Sequence, residues 1–252
     1  MARGIPERFN LAEAICRRHA DAVTRVALLD EKPLAANCYT FGGLDFLSDK
    51  FASALTACGI VAGDAVAVSL DPSAALVVAE LGALKCGAEV VPLSPAFGLS
   101  EFESAARDSG AKALVAPFAG RADYAAPARR VDSLATIFVA GDSREAIHYE
   151  GAERSFWRDV LLASSDFTPF ATAADAPAFR FYHTTEDAGL RHTVHSHAAM
   201  LDRLAEFERL NEQAIRDGGE FRCADDWAAS DARMRLIYPA WWFGCAVVTE
   251  AR

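Results

Sequence analysis

Residues 65–93 read AVAVSLDPSAALVVAELGALKCGAEVVPL and decide the fold. Two short runs, the apolar 65–68 and the mostly apolar 89–93, flank a nearly all-apolar segment, 73–86, that is followed by Gly87. The short runs predict strands buried on both faces, and the longer segment predicts a helix. A strand, a helix and a second strand form a βαβ unit, whose parallel strands need a right-handed crossover.

The same alternation continues on both sides of this unit. Further strands are predicted at 25–29, 39–41, 113–116, 135–139, 179–182 and 246–249. Helices are predicted at 10–19, 44–58, 100–108 and 155–163, with another beginning near Ser196, and 119–130 is a loop or a short helix. This order predicts an α/β fold with a mostly parallel sheet flanked by helices. The Thr, Pro, Ala and Asp segment 168–177 predicts a boundary between two lobes, 1–170 and 178–252.

Composition excludes several classes of protein. At 52% hydrophobic residues, the 252-residue chain has enough apolar side chains for a real core, so disorder is excluded. The net charge of −10 argues against electrostatic binding to nucleic acid or anionic lipid, which favours small-molecule or protein partners. No secretory signal or membrane-spanning run is recognisable, so we expect a cytoplasmic protein. The six cysteines are scattered without a CxxC pair, which favours reduced thiols over disulfides or zinc ligands.

Three stretches together resemble the AMP-dependent synthetase and ligase family, in particular its bacterial acetyl-CoA and medium-chain acyl-CoA synthetases. Residues 39–55 followed by GIVAGDAVA at 59–67 are similar to the family's opening "YTF, helix, GV, GDRVA". LKCGAEVVPLSP at 84–95 is similar to "LKAGAVVVPLSP". Residues 182–197 take the place of the family's phosphate loop, and HSHAAML at 195–201 matches the family's sequence at the end of that loop.

The resemblance implies only the N-terminal portion of the family's architecture. Residues 1–170 would be its first α/β subdomain, and 178–252 a second, incomplete α/β lobe that carries the phosphate-loop-like segment. The family joins a carboxylate to AMP and then transfers the acyl group to CoA. The segments that hold adenine and ribose, the hinge and the mobile lobe have no counterpart here, so we assign no catalytic residue and expect little or no ligase activity from this chain alone.

The phosphate-loop segment departs from the family's pattern. The family string is roughly Y-T-S-G-T-T-G-x-P-K-G-V, whose glycines bring backbone N–H groups against phosphates. Residues 182–193 read YHTTEDAGLRHT. The family's three glycine positions fall on Thr185, Ala188 and His192, and its paired threonines fall on Glu186 and Asp187.

Few phosphate-binding groups remain in this segment. The candidates are Thr184, Thr185, Gly189 (after a one-residue register shift) and Arg191. A carboxylate about 4 Å from a phosphate charge costs on the order of 4 kcal/mol at an effective dielectric near 20. The resemblance therefore implies ATP and Mg²⁺ as weakly bound cofactors and gives little support for CoA. The alternative that the segment is only a solvated turn stays open.

Two functional interpretations remain. In the first, the chain is a non-catalytic relic that serves in binding or interaction. In the second, it is one part of a split ATP-dependent carboxylate–CoA ligase that activates a small or medium-chain acid through an acyl-AMP. Tyr238, Trp241 and Trp242 take the place of a segment that borders the family's acyl pocket, although a core role is an equal alternative. No metal site is predicted, despite histidines at 183, 192, 195 and 197.

The resemblance also predicts assembly. Strands 179–182 and 246–249 would find their neighbours in the absent part of the family's architecture, so they are expected to be unpaired edges. Tyr238, Trp241, Trp242 and Phe243 would then add an exposed apolar surface, and such surfaces attract partners. We therefore expect a homodimer, or a complex with a protein that supplies the missing lobes.

Overall fold

The computed structural model of the protein describes residues 6–19, 21–32, 35–119, 121–141, 149–185, 189–223 and 225–249. Its α-helices are α1 (Leu11–Cys16), α2 (Phe41–Ala57), α3 (Ala74–Lys85), α4 (Leu99–Asp108), α5 (Arg121–Ala128), α6 (Phe156–Leu162), α7 (Leu204–Arg216) and α8 (Tyr238–Trp242). Its strands are β1 (Val26–Lys32), β2 (Ala35–Thr40), β3 (Ala65–Val68), β4 (Glu89–Pro92), β5 (Ala113–Pro117), β6 (Thr136–Ala140), β7 (Glu153–Ser155), β8 (Pro177–Thr185), β9 (Gly189–Ser196), β10 (Glu220–Arg222) and β11 (Ala246–Thr249). A 3-10 helix (Ala199–Arg203) precedes α7, and a π-helical segment (Ala232–Ile237) precedes α8.

The larger sheet has seven strands in the order β7-β6-β5-β3-β4-β8-β9. Each neighbouring pair is parallel except β8 and β9, which are antiparallel. Strands β3 and β4 are buried along their whole length, as expected for a sheet covered on both faces. The predicted α/β fold with a mostly parallel sheet is confirmed.

Helix α3 is the centre of the packing, because every one of its residues is buried. It begins where Ser73 Oγ accepts a hydrogen bond from Leu76 N, and Gly87, with φ of +74°, follows its end. Gly82 lets α2 approach closely, since a Cβ at this position would lie only 2.8 Å from Phe51 Cδ1. Helices α2 and α3 are therefore held together by a glycine contact as well as by apolar burial.

Two charges within α3 are neutralised by other elements. Lys85, fully buried, places Nζ 2.6 Å from Asp45 Oδ1 and 2.7 Å from Asp49 Oδ1, both on α2. Glu80 accepts hydrogen bonds from the buried guanidinium of Arg233 in the π-helical segment. Buried charges need such partners, because a lone buried ion loses its hydration without compensation. The two pairs tie α3 to elements on both sides of the predicted lobe boundary.

The smaller sheet has four strands in the order β10-β11-β1-β2. Strand β1 pairs in parallel with β11 through Leu28 and Val247, and antiparallel with β2. Both sheets thus combine strands from the two sides of the boundary predicted between residues 170 and 178. The division into lobes 1–170 and 178–252 remains a prediction.

Two expectations about the second lobe are wrong. Strand β8 lies between β4 and β9, and β11 lies between β10 and β1, so neither strand is an unpaired edge. The helix expected from Ser196 begins only with the 3-10 turn at Ala199, because residues 189–196 form β9 instead. The reason is the same in each case: the backbone groups of β8 and β11 hydrogen-bond to other strands of this chain.

No helix of the described residues is long and apolar enough to cross a bilayer.

Candidate functional site

The phosphate-loop-like segment forms a β-hairpin made of β8 and β9. Strand β8 runs parallel to β4, so the carboxyl end of β8 lies at the carboxyl edge of the parallel strands. Ligands of open α/β sheets bind in the crevice at this edge. The turn residues Glu186, Asp187 and Ala188 lie outside the described residues, whereas the strands on both sides of the turn are described.

The register of the hairpin decides which predicted residues share a face. Thr184 is opposite Leu190, and Thr185 is opposite Gly189. Because side chains alternate along a strand and opposite residues share a face, Thr185 and Arg191 lie on one face, and Thr184 lies on the other. The structure therefore brings together only part of the predicted donor set.

The donors on the shared face are poorly prepared for a phosphate. The Thr185 hydroxyl already donates a hydrogen bond to the Gly189 carbonyl oxygen, at 3.3 Å. Gly189 has φ of +68°, a conformation that glycine adopts freely, so one glycine-dependent position does exist in the hairpin. Arg191 is exposed at the surface of the edge strand. Arg191 is the one cationic side chain in the predicted donor set.

The opposite face of the hairpin is attached to α4 by Asp108, which the sequence did not suggest. The Tyr182 hydroxyl donates to Asp108 Oδ2 at 2.6 Å, and His192 Nδ1 lies 3.3 Å from the same oxygen. Arg180 reaches Asp108 at 4.0 Å and forms a closer ion pair with Glu89, at 3.1 Å. His192 stands at a family glycine position, and its side chain here serves to fasten the hairpin.

The Tyr182–Asp108 contact has an electrostatic consequence. Burial of the phenol and the adjacent Asp108 carboxylate together raise the pKa of Tyr182 above its ordinary value. Tyr182 therefore remains a hydrogen-bond donor at neutral pH. The sequence indicated only that Asp108 ends an amphipathic helix that packs on the sheet. It did not indicate the contact with Tyr182, which lies 74 residues further along the chain.

The predicted pocket residues are mostly buried in the core. The Tyr238 hydroxyl donates to Glu80 Oε2 at 3.3 Å, and Trp241 Nε1 donates to the Ala27 carbonyl oxygen at 2.8 Å. Trp242 is half-buried, and its ring lies 3.9 Å from Arg18 Cζ in a cation–π contact. The expectation that these residues form an exposed aromatic surface is wrong, since Tyr238 and Trp241 are 1% and 2% exposed. A role for these residues at a pocket wall stays a prediction.

The histidines of the segment do not form a cluster. His197 is fully buried, and its Nδ1 accepts a hydrogen bond from Leu11 N. Burial lowers its pKa to about 4. His195 instead lies beside Ser230, and His192 beside Asp108. Across the described ranges, no group of three or more His, Cys, Asp or Glu residues is arranged to hold a metal ion.

A family model and several curated proteins match parts of this sequence. The model of the family described as AMP-binding enzyme matches residues 13–185, more than half of the chain. Among curated proteins, surfactin synthase subunit 2 of Bacillus subtilis (strain 168) is 39% identical over 77 residues, which are 31% of this chain and 2% of that protein.

Solved structures share the fold over nearly the whole chain. The anthranilate CoA ligase AuaEII, in complex with anthranoyl-AMP, is similar with a TM-score of 0.84 and 18% identity, covering 99% of this chain and 46% of that one. ATP-bound MatB from Rhodopseudomonas palustris is similar with a TM-score of 0.77 and 20% identity, covering 95% of this chain and 44% of that one. The chain thus spans just under half the length of these two proteins.

Proposed function

Because the chain belongs to the AMP-binding enzyme family, we propose that it is an acyl-CoA synthetase-like protein whose phosphate loop binds ATP weakly and does not support adenylation by this chain alone. Its role would then be that of a binding or interaction protein, or of a relic of the enzyme. The observation that carries the proposal is the hairpin register, which separates Thr184 from Thr185 and Arg191.

The donor set fits a triphosphate poorly. The family loop surrounds phosphates with glycine backbone N–H groups, hydroxyls and a lysine. Here the Thr185 hydroxyl is engaged by the hairpin backbone, and Thr184 projects from the other face. The sequence also places two acids, Glu186 and Asp187, between the strands of the hairpin. Each carboxylate would raise the free energy of a bound phosphate, and a single guanidinium at Arg191 offsets only part of it.

The likeness to nucleotide complexes supports a nucleotide as the ligand class to test. The compared structures contain ATP or an acyl-AMP, so ATP with Mg²⁺ and a small carboxylic acid are the ligands to offer. We expect calorimetry with ATP and Mg²⁺ to give a dissociation constant no tighter than about 1 mM, or about −4 kcal/mol. Binding in the micromolar range would contradict the proposal.

Enzymatic turnover provides the second test. We expect no pyrophosphate release above a no-protein control when ATP is supplied with acetate, butyrate or benzoate. A positive control is a full-length ligase of the same family assayed in the same buffer. Release that depends on the acid and on this chain would overturn the proposal of impaired catalysis.

A second candidate is one part of a split carboxylate–CoA ligase. The likeness of the fold to ligand-bound structures, over 95–99% of this chain, supports this candidate equally. A neighbouring reading frame that encodes the remaining family segments, and whose product restores pyrophosphate release on mixing, would support this alternative. A homodimer and a cytoplasmic location likewise remain predictions, to be tested by light scattering and by cell fractionation.

A further inference from the structure

A cleft lies between α7, β10 and the π-helical segment, and its lining residues fall between 203 and 236. Its walls include four apolar side chains, Phe207, Leu210, Phe221 and Leu236. The Phe207 ring is fixed by contacts with the rings of Phe221 and Phe243, whose centroids lie 5.2 and 6.0 Å from its own. Leu210, in contrast, is 62% exposed, so apolar surface of the cleft is in contact with water.

The cleft is small compared with the sites that proteins use for small molecules. Its volume is about 180 Å³, whereas pockets for drug-sized ligands have roughly 300–1,000 Å³. This space suits one apolar side chain of a longer molecule. Such a molecule keeps most of its atoms outside the cleft, so it needs further contacts beside the cleft.

Strand β10 offers those contacts through its backbone. Among the described residues it is the last strand of the smaller sheet, with β11 as its one neighbour. The other side of an edge strand presents unpaired N–H and C=O groups, to which an extended segment can add as a further strand. Phe221, the central residue of β10, also lines the cleft, so the free edge and the cleft are adjacent. Because β10 has only three residues, the edge alone supplies few hydrogen bonds, and the cleft must supply the rest of the affinity.

The charged side chains of the cleft favour a negatively charged occupant. Arg203 and Arg235 line it, together with a single acid, Glu206. Arg235 Nε already donates to Asp231 at 2.9 Å. Arg203 is exposed and forms no ion pair with another residue in the described part of the chain, so its guanidinium can pair with a carboxylate of the occupant.

We propose that the α7 cleft and the free edge of β10 together bind an extended acidic segment of a partner protein. The segment adds as a strand beside β10, inserts one large apolar side chain into the cleft, and places a carboxylate beside Arg203. The carboxylate lies two residues from the apolar side chain, because residues i and i+2 of a strand share a face. This inference rests on the interaction role proposed above and gives that role a class of partner.

Fluorescence anisotropy with the full chain and labelled seven-residue peptides tests the proposal. The central residue is Leu, Phe or Ala, the residues two positions to either side are Glu, Gln or Lys, and the others are Thr and Val. Peptides with Glu and a central Leu or Phe are expected to bind most tightly, and those with Lys least tightly. A central Ala is expected to weaken binding about 30-fold, the scale of losing one hot-spot side chain. Equal binding of Glu and Lys peptides, equal binding of Leu- and Ala-centred peptides, or no binding by any peptide would overturn the proposal.

Methylated peptides test the strand pairing separately. Backbone N-methylation at alternate residues removes the amide donors that face one side of the peptide. Of the two alternate patterns, the one that removes the donors facing β10 is expected to abolish binding. Binding that survives both patterns would show that side chains alone hold the peptide, which contradicts strand addition.

Variants locate the surface. Arg203→Glu is expected to reverse the preference, so that Lys peptides bind about 5-fold more tightly than Glu peptides, the scale of one exposed ion pair. Leu210→Trp is expected to weaken binding of every peptide by filling the cleft. Leu161→Trp is the matched control, because Leu161 is 67% exposed on α6. Unchanged peptide binding by both Arg203→Glu and Leu210→Trp would contradict the assignment of this surface.

Two further outcomes are distinguishable from these. Self-association of the unchanged chain that is lost in Leu210→Trp would show that a second copy, rather than another protein, occupies the surface. All peptide titrations omit nucleotide, and the calorimetry with ATP and Mg²⁺ omits peptide. A failure of peptide binding therefore leaves the proposed weak ATP binding to be decided by its own measurement.

Discussion

Helix α3 with its flanking strands and the β8–β9 hairpin both resemble family strings, yet they differ in what holds their side chains. Every residue of α3 is buried, whereas residues 183–185 at the end of β8 are exposed. In α3 a substitution disturbs the packing or leaves a buried charge unpaired. At the exposed end of β8 a substitution changes only the chemical groups on the surface. A chain can therefore keep the family's fold while its phosphate-binding groups change, and the difference between the two regions can be tested by substitution.

The largest effect is expected from removing the buried cation of α3. Lys85→Met would remove the buried partner of Asp45 and Asp49 and leave them only the more exposed Arg17, and loss of one member of a buried ion pair costs about 3–5 kcal/mol. Urea unfolding measures the change. Lys112→Met is the control, since Lys112 is half-exposed beside Asp64 and its loss is expected to cost less than about 1 kcal/mol. Equal decreases in unfolding free energy for Lys85→Met and Lys112→Met would contradict the expected difference between core and surface.

The second prediction concerns pH and the buried His197. Its pKa is lowered from 6.5 to about 4, so the unfolded chain takes up the proton first as the pH falls. The free energy of unfolding is unaffected by protonation of His197 above pH 6.5. Between pH 6.5 and pH 4 it is expected to decline by on the order of 3 kcal/mol. His197→Asn keeps an acceptor for Leu11 N without titrating, so its unfolding free energy is expected to depend less on pH in this range.

The control for this pH dependence is His183→Asn, because His183 is exposed on the hairpin. Its unfolding free energy is expected to follow that of the unchanged chain from pH 7 to pH 4. If His197→Asn showed the same acid dependence as the unchanged chain, the interpretation of His197 as a buried neutral histidine would be wrong.

The third prediction restores the hairpin. Replacing Glu186 and Asp187 by Thr, and Thr185, Ala188 and His192 by Gly, is expected to tighten ATP binding about 10- to 100-fold, or about 1.4–2.8 kcal/mol. The gain is expected to stay partial, because His183, Leu190 and Arg191 would still differ from the family string. Calorimetry with ATP and Mg²⁺ measures it.

A matched control removes the same two charges elsewhere. Asp202 and Glu206 are exposed and lie after β9, so replacing both by Thr changes the net charge equally without altering the hairpin. Equal tightening by this control would show that overall charge, rather than the hairpin, limits binding. Full family-like affinity from the restored hairpin would show that the remaining differences from the family string do not limit binding.

The smallest effect is expected at the attachment of the hairpin to α4. Asp108→Asn keeps an acceptor for the Tyr182 hydroxyl but removes the charge, so the pKa of Tyr182 is expected to fall toward its ordinary value. Because the pKa is raised in the folded state, the associated stability is present at neutral pH and is lost as alkaline pH passes through the folded pKa. Alkaline difference absorbance, with Tyr182→Phe to assign the signal, measures the shift.

The expected change in unfolding free energy for Asp108→Asn at neutral pH is less than about 1 kcal/mol, the usual scale of one hydrogen bond. Asp166→Asn, on a surface loop, serves as the control and is expected to leave tyrosine ionisation unchanged. An unchanged titration of Tyr182 in Asp108→Asn would show that burial alone raises its pKa.

Much of the fold was predictable because its elements have local signals. The strands and helices from α2 to β6 lie within a few residues of their predicted bounds, as α3 does at Ala74–Lys85. Strand β9 was missed, since GLRHTVHS has no clear alternation of apolar and polar residues. It is a strand because β8 offers a free backbone edge, which antiparallel pairing satisfies.

The candidate site was predictable as a segment but not as a geometry. The string at 182–193 located the phosphate-loop-like segment by resemblance, while nothing local showed that it forms a hairpin or that Thr184 and Arg191 face opposite ways. That outcome depends on the pairing register, because a shift of one residue would exchange the two faces. The contacts of Asp108 with Tyr182 and of Ser230 with His195 likewise depend on how β8 and β9 dock against distant segments.

Local sequence was sufficient for the α/β class, the βαβ unit at 65–93 and the likeness to an adenylate-forming family, because apolar periodicity and short motifs are properties of neighbouring residues. The folded chain was needed to establish that β1 pairs with β11, that Lys85 forms ion pairs with Asp45 and Asp49, and which hairpin residues share a face. These contacts join residues far apart in the chain, and their energies depend on burial and register, which no local pattern contains.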